Sequence, residues 1–364
     1  MRLDFINSIL TEAEGPRIPH PEDAIFNSLA DAQKYERALE EAIDNAGEIS
    51  IKWDGGIALF FGYTPAGEFF INDKYMPEGF YARSPADWER YDTQIKKSRT
   101  PRPELYPKIA AIWQGLQASV QDTATYKGDL MAVSTSGQPL PAVNGAYEFQ
   151  PTTVTYRIPV NSELGSVIKG KVGVMVVHQR EGAPWDGETG LANKGNVAII
   201  APKAGLKFKL KTPVQLVNAA KSAVNGAAGK AAEQFLLGMD GVAKAAIQKY
   251  FNHKITAQTN EDLIPWLQNT ALSKLSAKQI TLLVGDGANG YIPQNIEGYE
   301  ALRATWNAVY QLKENLAAQL EQQVKGFGQS INGQPGGEGF VVPTSVGLIK
   351  LVNRVQFGGA HFNK

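Results

Sequence analysis

A lysine and an aspartate lie in a glycine-rich stretch near the start of the sequence. Residues 49–61 are ISIKWDGGIALFF, so that Lys52 and Asp54 stand between two apolar runs rich in β-branched and aromatic residues. The runs predict two strands, and Asp54-Gly55-Gly56 predicts a tight turn joining them, because glycine adopts positive φ at no steric cost. A lysine at such a strand end faces a cleft and is a candidate nucleophile. Taken alone, the same residues are more typical of a solvated hairpin turn than of a catalytic lysine.

Three further motifs follow this lysine motif along the chain. They are Tyr126-Lys127-Gly128-Asp129-Leu130, Gly337-Glu338-Gly339-Phe340-Val341-Val342 and Ile349-Lys350-Leu351-Val352. The four motifs together resemble those of the covalent nucleotidyltransferase superfamily. In order, that superfamily has a KxDG lysine, an acid preceded by glycine, an EG before an apolar strand, and a lysine on a strand. That superfamily comprises ATP-dependent DNA ligases, RNA ligases and mRNA capping enzymes. The resemblance covers residues 48–210 and 330–357, and the ordered set is far more specific than a lone KxDG.

The resemblance implies a fold, an activity and a cofactor set. The fold is α+β, an antiparallel-sheet nucleotidyltransferase (ATP-grasp-like ligase) domain. The activity is ATP-dependent polynucleotide ligation, most like that of an RNA ligase, with a covalent lysine–AMP intermediate at Lys52 and transfer of AMP to a 5′-phosphate end. The cofactors are ATP and Mg²⁺ or Mn²⁺, and the partner is a nucleic acid with a 5′-phosphate end, RNA in preference to DNA.

The chemistry of a lysine nucleophile calls for charged neighbours. An unperturbed lysine has a pKa of about 10.4, so cations or desolvation must lower it before the amine can attack phosphorus. Lys350, Lys74 and bound magnesium are the candidate cations, and Glu338 fits a metal ligand. By resemblance, Asp129 contacts the ribose or a metal, Lys350 contacts the α-phosphate, and Lys74 is an additional phosphate contact. The predicted site is therefore catalytic Lys52, Asp54 and Lys350; nucleotide-binding Lys52, Lys74, Asp129, Tyr156, Glu338 and Lys350; and metal-binding Glu338 and Asp129.

Some positions depart from the superfamily pattern. No polar side chain follows the first glycines of the lysine motif. The central strand Gly173–His178 has no aromatic residue to stack on a nucleotide base, so that role falls to Tyr156 or to the Val and Met side chains of the strand. Val352 replaces a second lysine of the last motif, with Arg354 as its substitute. A DNA ligase, a capping-type enzyme and a degenerate nucleotide-binding structural module therefore stay open as alternatives.

The strands and helices needed to position these residues follow from periodicity. In the region after residue 212, one helical stripe is predicted at Leu302, Trp306, Val309, Leu316 and Leu320, and a capping box at Ser276 and Gln279. The predicted domains are an N-terminal helical segment (1–47), a nucleotidyltransferase domain (48–211 and 330–364) and an inserted helical subdomain (212–329), without a C-terminal oligonucleotide-binding barrel. The missing barrel favours the RNA ligase branch, and an insertion on a compact core resembles bacteriophage enzymes. Six strands are predicted between the lysine motif and the insertion: Ile57–Tyr63, Glu68–Ile71, Leu130–Ser134, Val154–Ile158, Val172–His178 and Val197–Ala201.

Two local patterns invite separate interpretations. Lys203, Lys207, Lys209 and Lys211 alternate with apolar residues including Phe208, which predicts an edge strand protected by lysines, with phosphate contact as the alternative. Of the four histidines, His178 at a strand end is the one to watch.

Composition bounds the remaining possibilities. Basic and acidic residues number 36 each, so no overall charge indicates a polyanionic partner, although a local cleft can still be basic. The absence of cysteine excludes disulfides, thiolate nucleophiles and iron–sulfur clusters. No signal peptide and no apolar run near the roughly 20 residues of a membrane span is found. We expect a cytoplasmic protein, in the host cytoplasm if phage-encoded, with no membrane partner; the oligomeric state is open.

Overall fold

The computed structural model describes residues 18, 20–77, 79–95, 100–203, 206–269, 273–286, 288–324, 327–331, 333–335 and 337–355. The chain is α+β with largely antiparallel sheets, as predicted. The described strands are β1 (Ser50–Ile51), β2 (Ile57–Tyr63), β3 (Phe69–Asp73), β4 (Thr125–Val133), β5 (Ala142–Val143), β6 (Ala146–Phe149), β7 (Val154–Pro159), β8 (Gly173–Arg180), β9 (Ala183–Pro184), β10 (Val197–Ile200), β11 (Gly328–Ile331), β12 (Gln334–Pro335), β13 (Phe340–Thr344) and β14 (Gly347–Leu351).

The described α-helices are α1 (Leu29–Asp44), α2 (Pro85–Arg90), α3 (Tyr106–Ser119), α4 (Glu163–Ile168), α5 (Val214–Asn225), α6 (Ala227–Leu237), α7 (Gly241–Thr256), α8 (Leu263–Gln268), α9 (Ala277–Val284), α10 (Tyr291–Gln294) and α11 (Ile296–Gln323). Short 3₁₀-helices lie at Pro21–Phe26, Ala46–Glu48 and Pro103–Leu105, and a π-helical turn at Tyr91–Ile95. Among the described residues, no helix combines the length and hydrophobicity needed to cross a membrane.

The chain forms two compact units, each built from separated stretches of sequence. The described part of the first comprises residues 50–206 and 327–338, and that of the second comprises 18–49, 207–324 and 339–355. The sequence predicted that 330–364 forms one domain with 48–211. In the structure Glu338 belongs to the first unit, whereas the β13–β14 hairpin belongs to the second, where Ser345 Oγ donates a 2.7 Å hydrogen bond to Glu41 of α1.

Two sheets build the first unit. The larger has the strand order β10-β8-β4-β2-β3, with β9 paired to β8, and the smaller has the order β12-β11-β7-β6-β5. All pairs are antiparallel except β8–β10, which is parallel. One face of the larger sheet presents alternating apolar residues, including Phe61, Tyr126 and Val177, to a core completed by Trp113 and Leu116 of α3. The opposite face of β4 carries Asp129.

Helices dominate the second unit. The 28-residue α11 buries the stripe predicted from helical spacing, namely Leu302, Trp306, Val309, Leu316 and Leu320. The capping box predicted at Ser276 and Gln279 is also present, with both of its reciprocal hydrogen bonds formed at the start of α9. These local patterns specified helices correctly because an amphipathic stripe and a cap are properties of neighbouring residues.

Candidate active site

The lysine motif forms an extended connection instead of the predicted hairpin turn. Strand β2 pairs with β3 and β4, and residues 52–55 are non-helical, unpaired backbone between β1 and β2. Two backbone hydrogen bonds fix the connection at its ends: Ile51 N–H donates to the carbonyl of Pro202 at 3.2 Å, and Gly56 N–H donates to that of Leu130 at 3.0 Å. The motif is therefore held against the larger sheet, and the solvated-hairpin alternative does not apply.

Trp53 anchors this connection. Its side chain is 3% exposed, its Nε1–H donates to the Pro202 carbonyl at 3.2 Å, and its ring stacks on Tyr156 with centroids 5.1 Å apart. Phe327 meets the Trp53 ring edge-on at 5.2 Å. Lys52 and Asp54, on either side of the buried Trp53, are both only partly buried. Sequence reasoning did not assign Trp53 a role, although an aromatic residue between two charged ones was the available signal.

Lys52 meets Glu338 in this unit. The ammonium Nζ contacts carboxylate Oε2 across a sequence separation of 286 residues. The side chains are 24% and 15% exposed, so the pair is partly withdrawn from water yet still open to a ligand. A charge-assisted hydrogen bond of this kind orients the lysine and supplies an adjacent base. Two residues that the sequence predicted as nucleophile and metal ligand are thus direct neighbours.

Asp54 is held by two groups from the β6–β7 region. Its backbone N–H donates a 2.7 Å hydrogen bond to the Tyr156 hydroxyl oxygen, and Thr152 Oγ1 donates to its carboxylate. Burial raises the pKa of Tyr156, and the nearby carboxylates, of which Asp54 is one, raise it further, so the phenol stays protonated. This arrangement corrects the predicted role of Tyr156. Its ring is fully buried and stacks with Trp53 and Phe149, so Tyr156 positions Asp54 and has no free face for a base.

Asp129 lies directly against the lysine motif. A Cβ placed on Gly55 would come within 2.3 Å of the Asp129 Cβ, so only glycine allows this approach. The carboxylate Oδ2 is 3.1 Å from Nε2 of His178 on the neighbouring strand β8. His178 is therefore part of the site, as its position at a strand end suggested. The first unit thus brings together Lys52, Asp54, Asp129, Tyr156 and Glu338.

Three further basic residues were predicted to assist the site, namely Lys74, Lys350 and Arg354. Lys74 follows β3, with its ammonium 5.1 Å from the centroid of the Tyr75 ring. Lys350 belongs to the second unit, on β14 opposite Val341, and its predicted contact with the α-phosphate stays a prediction. Arg354 donates a 2.8 Å hydrogen bond to the buried Glu22 and has a side chain only 10% exposed. Arg354 is accordingly a structural residue and does not substitute for the second lysine of the last motif.

The donor set fits a metal ion that arrives with a nucleotide. In the part of the chain that the structure describes, no group of three or more His, Asp or Glu side chains is arranged to hold a metal. Glu338 and Asp129 instead stand singly, each beside one basic partner. Magnesium characteristically takes one or two protein carboxylates and completes its shell with substrate phosphates and water. Glu338 and Asp129 could serve as such carboxylate ligands.

Comparison with known proteins gives a family without an assigned activity. One family model, described as "Family of unknown function (DUF6267)", matches residues 17–364. No match was found among curated proteins or among solved structures.

Proposed function

We propose that this chain, which belongs to DUF6267, a family of unknown function, is an ATP-dependent nucleotidyltransferase that carries AMP on Lys52 and serves as a polynucleotide ligase. The contact between Lys52 Nζ and the Glu338 carboxylate carries the proposal. It joins a candidate nucleophile to a candidate base in a half-buried site that also contains Asp129 and Asp54. The antiparallel sheets of the first unit support a nucleotidyltransferase fold of the ATP-grasp-like ligase kind.

The first half-reaction forms a phosphoramidate. One ammonium proton of Lys52 passes to Glu338, and the freed lone pair attacks the α-phosphorus of ATP. The P–N bond forms as the bond from that phosphorus to the bridging oxygen breaks, and pyrophosphate leaves. A second proton departs from the nitrogen to pyrophosphate or water, which leaves an uncharged nitrogen in the Lys52–AMP phosphoramidate, whose phosphoryl oxygen keeps one negative charge. Mg²⁺ brought with ATP, in reach of Glu338 and Asp129, would neutralise phosphate charge.

The positions of the neighbouring side chains support specific tasks in this step. Glu338 holds Lys52 in one orientation, which lowers the entropic cost of reaching the attacking geometry. Tyr156 and Thr152 hold Asp54 by hydrogen bonds. Asp129 and His178 form a second hydrogen-bonded pair beside the lysine motif. In the second half-reaction AMP passes to a 5′-phosphate end. A terminal hydroxyl then displaces AMP to complete the phosphodiester bond.

Covalent labelling tests the first half-reaction. We expect incubation with α-labelled ATP and Mg²⁺ to label the protein, and the Lys52→Ala variant to stay unlabelled. Lys194→Ala is the matched control, since Lys194 is an exposed lysine of the same unit and should leave labelling unchanged. The proposal fails if the wild-type protein acquires no label, or if the label persists in Lys52→Ala.

Offering acceptors separately tests the second half-reaction. Single-stranded RNA with a 5′-phosphate should be adenylylated and joined, in preference to nicked duplex DNA. Joining of nicked DNA alone would make the protein a DNA ligase, and transfer to 5′-diphosphate RNA would make it a capping-type enzyme. Tight ATP binding without any covalent label would instead indicate a nucleotide-binding module.

A further inference from the structure

An extended segment of the second unit displays three lysines in a row. Lys207, Lys209 and Lys211, hereafter the lysine row, are all exposed, whereas the intervening Phe208 is 4% exposed and Leu210 is half-buried. The sequence predicted an edge strand here. That prediction is wrong, because residues 207–211 form no strand and their backbone is bound by side chains of a helix.

Two glutamines of α11 hold the segment. Gln323 accepts a hydrogen bond from Lys209 N–H at 2.8 Å and donates one to the Lys209 carbonyl at 2.6 Å. Gln319, one helical turn earlier, repeats both bonds with the backbone of Lys211, at 2.8 and 3.0 Å. Each glutamine amide thus bonds both the N–H and the C=O of one residue, as the backbone of a neighbouring strand does in a sheet. Residues i and i+4 of a helix lie on one face, which matches the two-residue repeat of the segment.

Packing fixes the opposite side. The Phe208 ring meets Phe340 of β13 edge-on, with centroids 5.4 Å apart, in the same unit. With alternate residues anchored inward, the lysines must point outward, since side chains alternate along an extended chain. The backbone of the lysine row is therefore rigid although it lies in no sheet.

The ammonium groups of the lysine row are free of charge partners among the described residues. None of the three takes part there in an ion pair or a side-chain hydrogen bond. Alternate residues of an extended chain are about 6.7 Å apart, which is close to the separation of successive phosphates along an extended nucleic-acid strand. A regular row of fixed, unpaired cations suits a regular row of anions better than an irregular acidic protein surface.

We propose that the lysine row binds the phosphate backbone of the nucleic-acid strand on which this protein acts. The choice of nucleic acid rests on the proposed function, whereas the anion-binding role rests on the segment itself. Gln319 and Gln323 are positioning residues in this proposal. They touch no phosphate and act by keeping the three lysines in register.

Binding without ATP separates this proposal from the proposed function. The probe is a fluorescent single-stranded RNA with a 5′-phosphate, titrated in EDTA with the Lys52→Ala protein at several salt concentrations. Replacing all three lysines of the row by alanine should weaken binding at least tenfold and reduce the slope of log K against log salt by about two, given about 0.7 per phosphate contact with a single strand. The control removes equal charge from helices of the same unit, at Lys230, Lys244 and Lys278, and should change neither quantity appreciably.

A second variant tests the positioning role without altering charge. Gln319→Ala combined with Gln323→Ala should weaken RNA binding while leaving the far-UV circular dichroism of the protein unchanged. The proposal would be overturned if the lysine-row variant and its charge control lost RNA affinity equally. It would also be overturned if RNA binding were unchanged in both variants. Preferential binding of anionic vesicles or of a poly-glutamate peptide over RNA would overturn the assignment to nucleic acid. Absent covalent labelling together with row-dependent RNA binding would overturn only the proposed function.

Discussion

At the scale of single residues, the partly buried contact between Lys52 and Glu338 is the observation from which the proposed lysine chemistry is argued. The carboxylate fixes the ammonium group and lies where a proton can be passed without rearrangement. A lysine on an open hairpin would have neither advantage, because water would compete for both groups. The partner of Lys52 lies 286 residues away in the sequence, and no local motif can supply it.

Replacing Glu338 by glutamine tests its role as base. The substituted amide would keep the shape of the side chain and one hydrogen-bond acceptor, but it would lose the charge and the capacity to take a proton. We expect the single-turnover rate of Lys52 labelling to fall about 10²–10⁴-fold, the range for loss of a general acid or base. The control is Glu148→Gln, an exposed glutamate of the same unit, for which the rate should stay within twofold. An unchanged rate in Glu338→Gln would exclude the proton-transfer role.

Replacing Tyr156 by phenylalanine tests the support of Asp54. The variant keeps the buried ring stack but removes the oxygen that accepts the Asp54 N–H hydrogen bond. Since a half-buried donor loses its partner, we expect a loss of about 1–2 kcal/mol in the free energy of unfolding. Urea unfolding at neutral pH measures it, with slower Lys52 labelling as a second readout. A variant as stable and as active as the wild type would show that this hydrogen bond contributes neither to stability nor to Lys52 labelling.

At the scale of elements, the larger sheet and the connection across it form a single packed unit. Strand β4 carries Asp129 under the motif, and the absence of a side chain at Gly55 lets the connection settle on it. The lysine row also lies outside regular secondary structure, and side chains of α11 hold its backbone. In both segments the backbone is fixed by hydrogen bonds to groups distant in the sequence.

Substituting Gly55 by alanine tests the close approach. Because a new Cβ would lie 2.3 Å from that of Asp129, backbone must shift, and we expect a loss of about 1–3 kcal/mol in unfolding free energy together with most of the labelling activity. Gly47→Ala is the matched control, since a Cβ there has no heavy atom within 4 Å. Equal stability of both variants, measured by thermal unfolding, would show that the motif can move away from β4.

At the scale of the molecule, a buried ionic network joins distant parts of the second unit. Glu22, in the 3₁₀-helix near the N-terminus, contacts Lys313 of α11 at 2.7 Å and Arg354 beyond β14 at 2.8 Å. Burial alone would raise the pKa of Glu22, but the two cations lower it to about 2. Glu22 therefore stays ionised, and removing either cation would leave a buried charge without compensation.

Acidification should destabilise this unit through His20. Burial, with the cations Arg354, Lys313 and Lys350, lowers the pKa of His20 from 6.5 to about 3, against the opposing charge of Glu22. Between those values the unfolded chain binds a proton that the folded chain does not, so stability falls as pH drops from 6.5 towards 3 and is independent of His20 above 6.5. The limiting slope is about 1.4 kcal/mol per pH unit.

Comparison of the wild type with His20→Gln isolates this contribution from other titrating groups. Urea unfolding at about pH 7.5 and about pH 5, on either side of the ordinary histidine pKa, should show a larger acid-induced loss for the wild type than for the variant. Equal losses in the two proteins would mean that His20 is protonated in the folded state.

Much of the architecture was predictable from local pattern. The α+β class, six of the nine described strands between the lysine motif and the helical region, the buried stripe of α11 and the cap at Ser276 were predicted correctly. Of the predicted site residues, the first unit brings Lys52 and Glu338 into contact, while their chemical tasks stay predictions. Tyr156 was expected to stack on a base and instead supports Asp54, and the lysine row was expected in a sheet and instead lies along a helix.

The amino-acid order alone specified which residues prefer helix or strand and which types could do chemistry, because propensity, periodicity and capping depend on neighbours along the chain. Folding in three dimensions decided that Lys52 meets Glu338, that Gly55 rests on Asp129, and that Tyr156 is sealed between other rings. These contacts depend on which apolar faces pack against each other. That packing is determined by the sum of many weak contacts across the whole unit. A motif can therefore name a nucleophile, whereas only the packed fold supplies its partner.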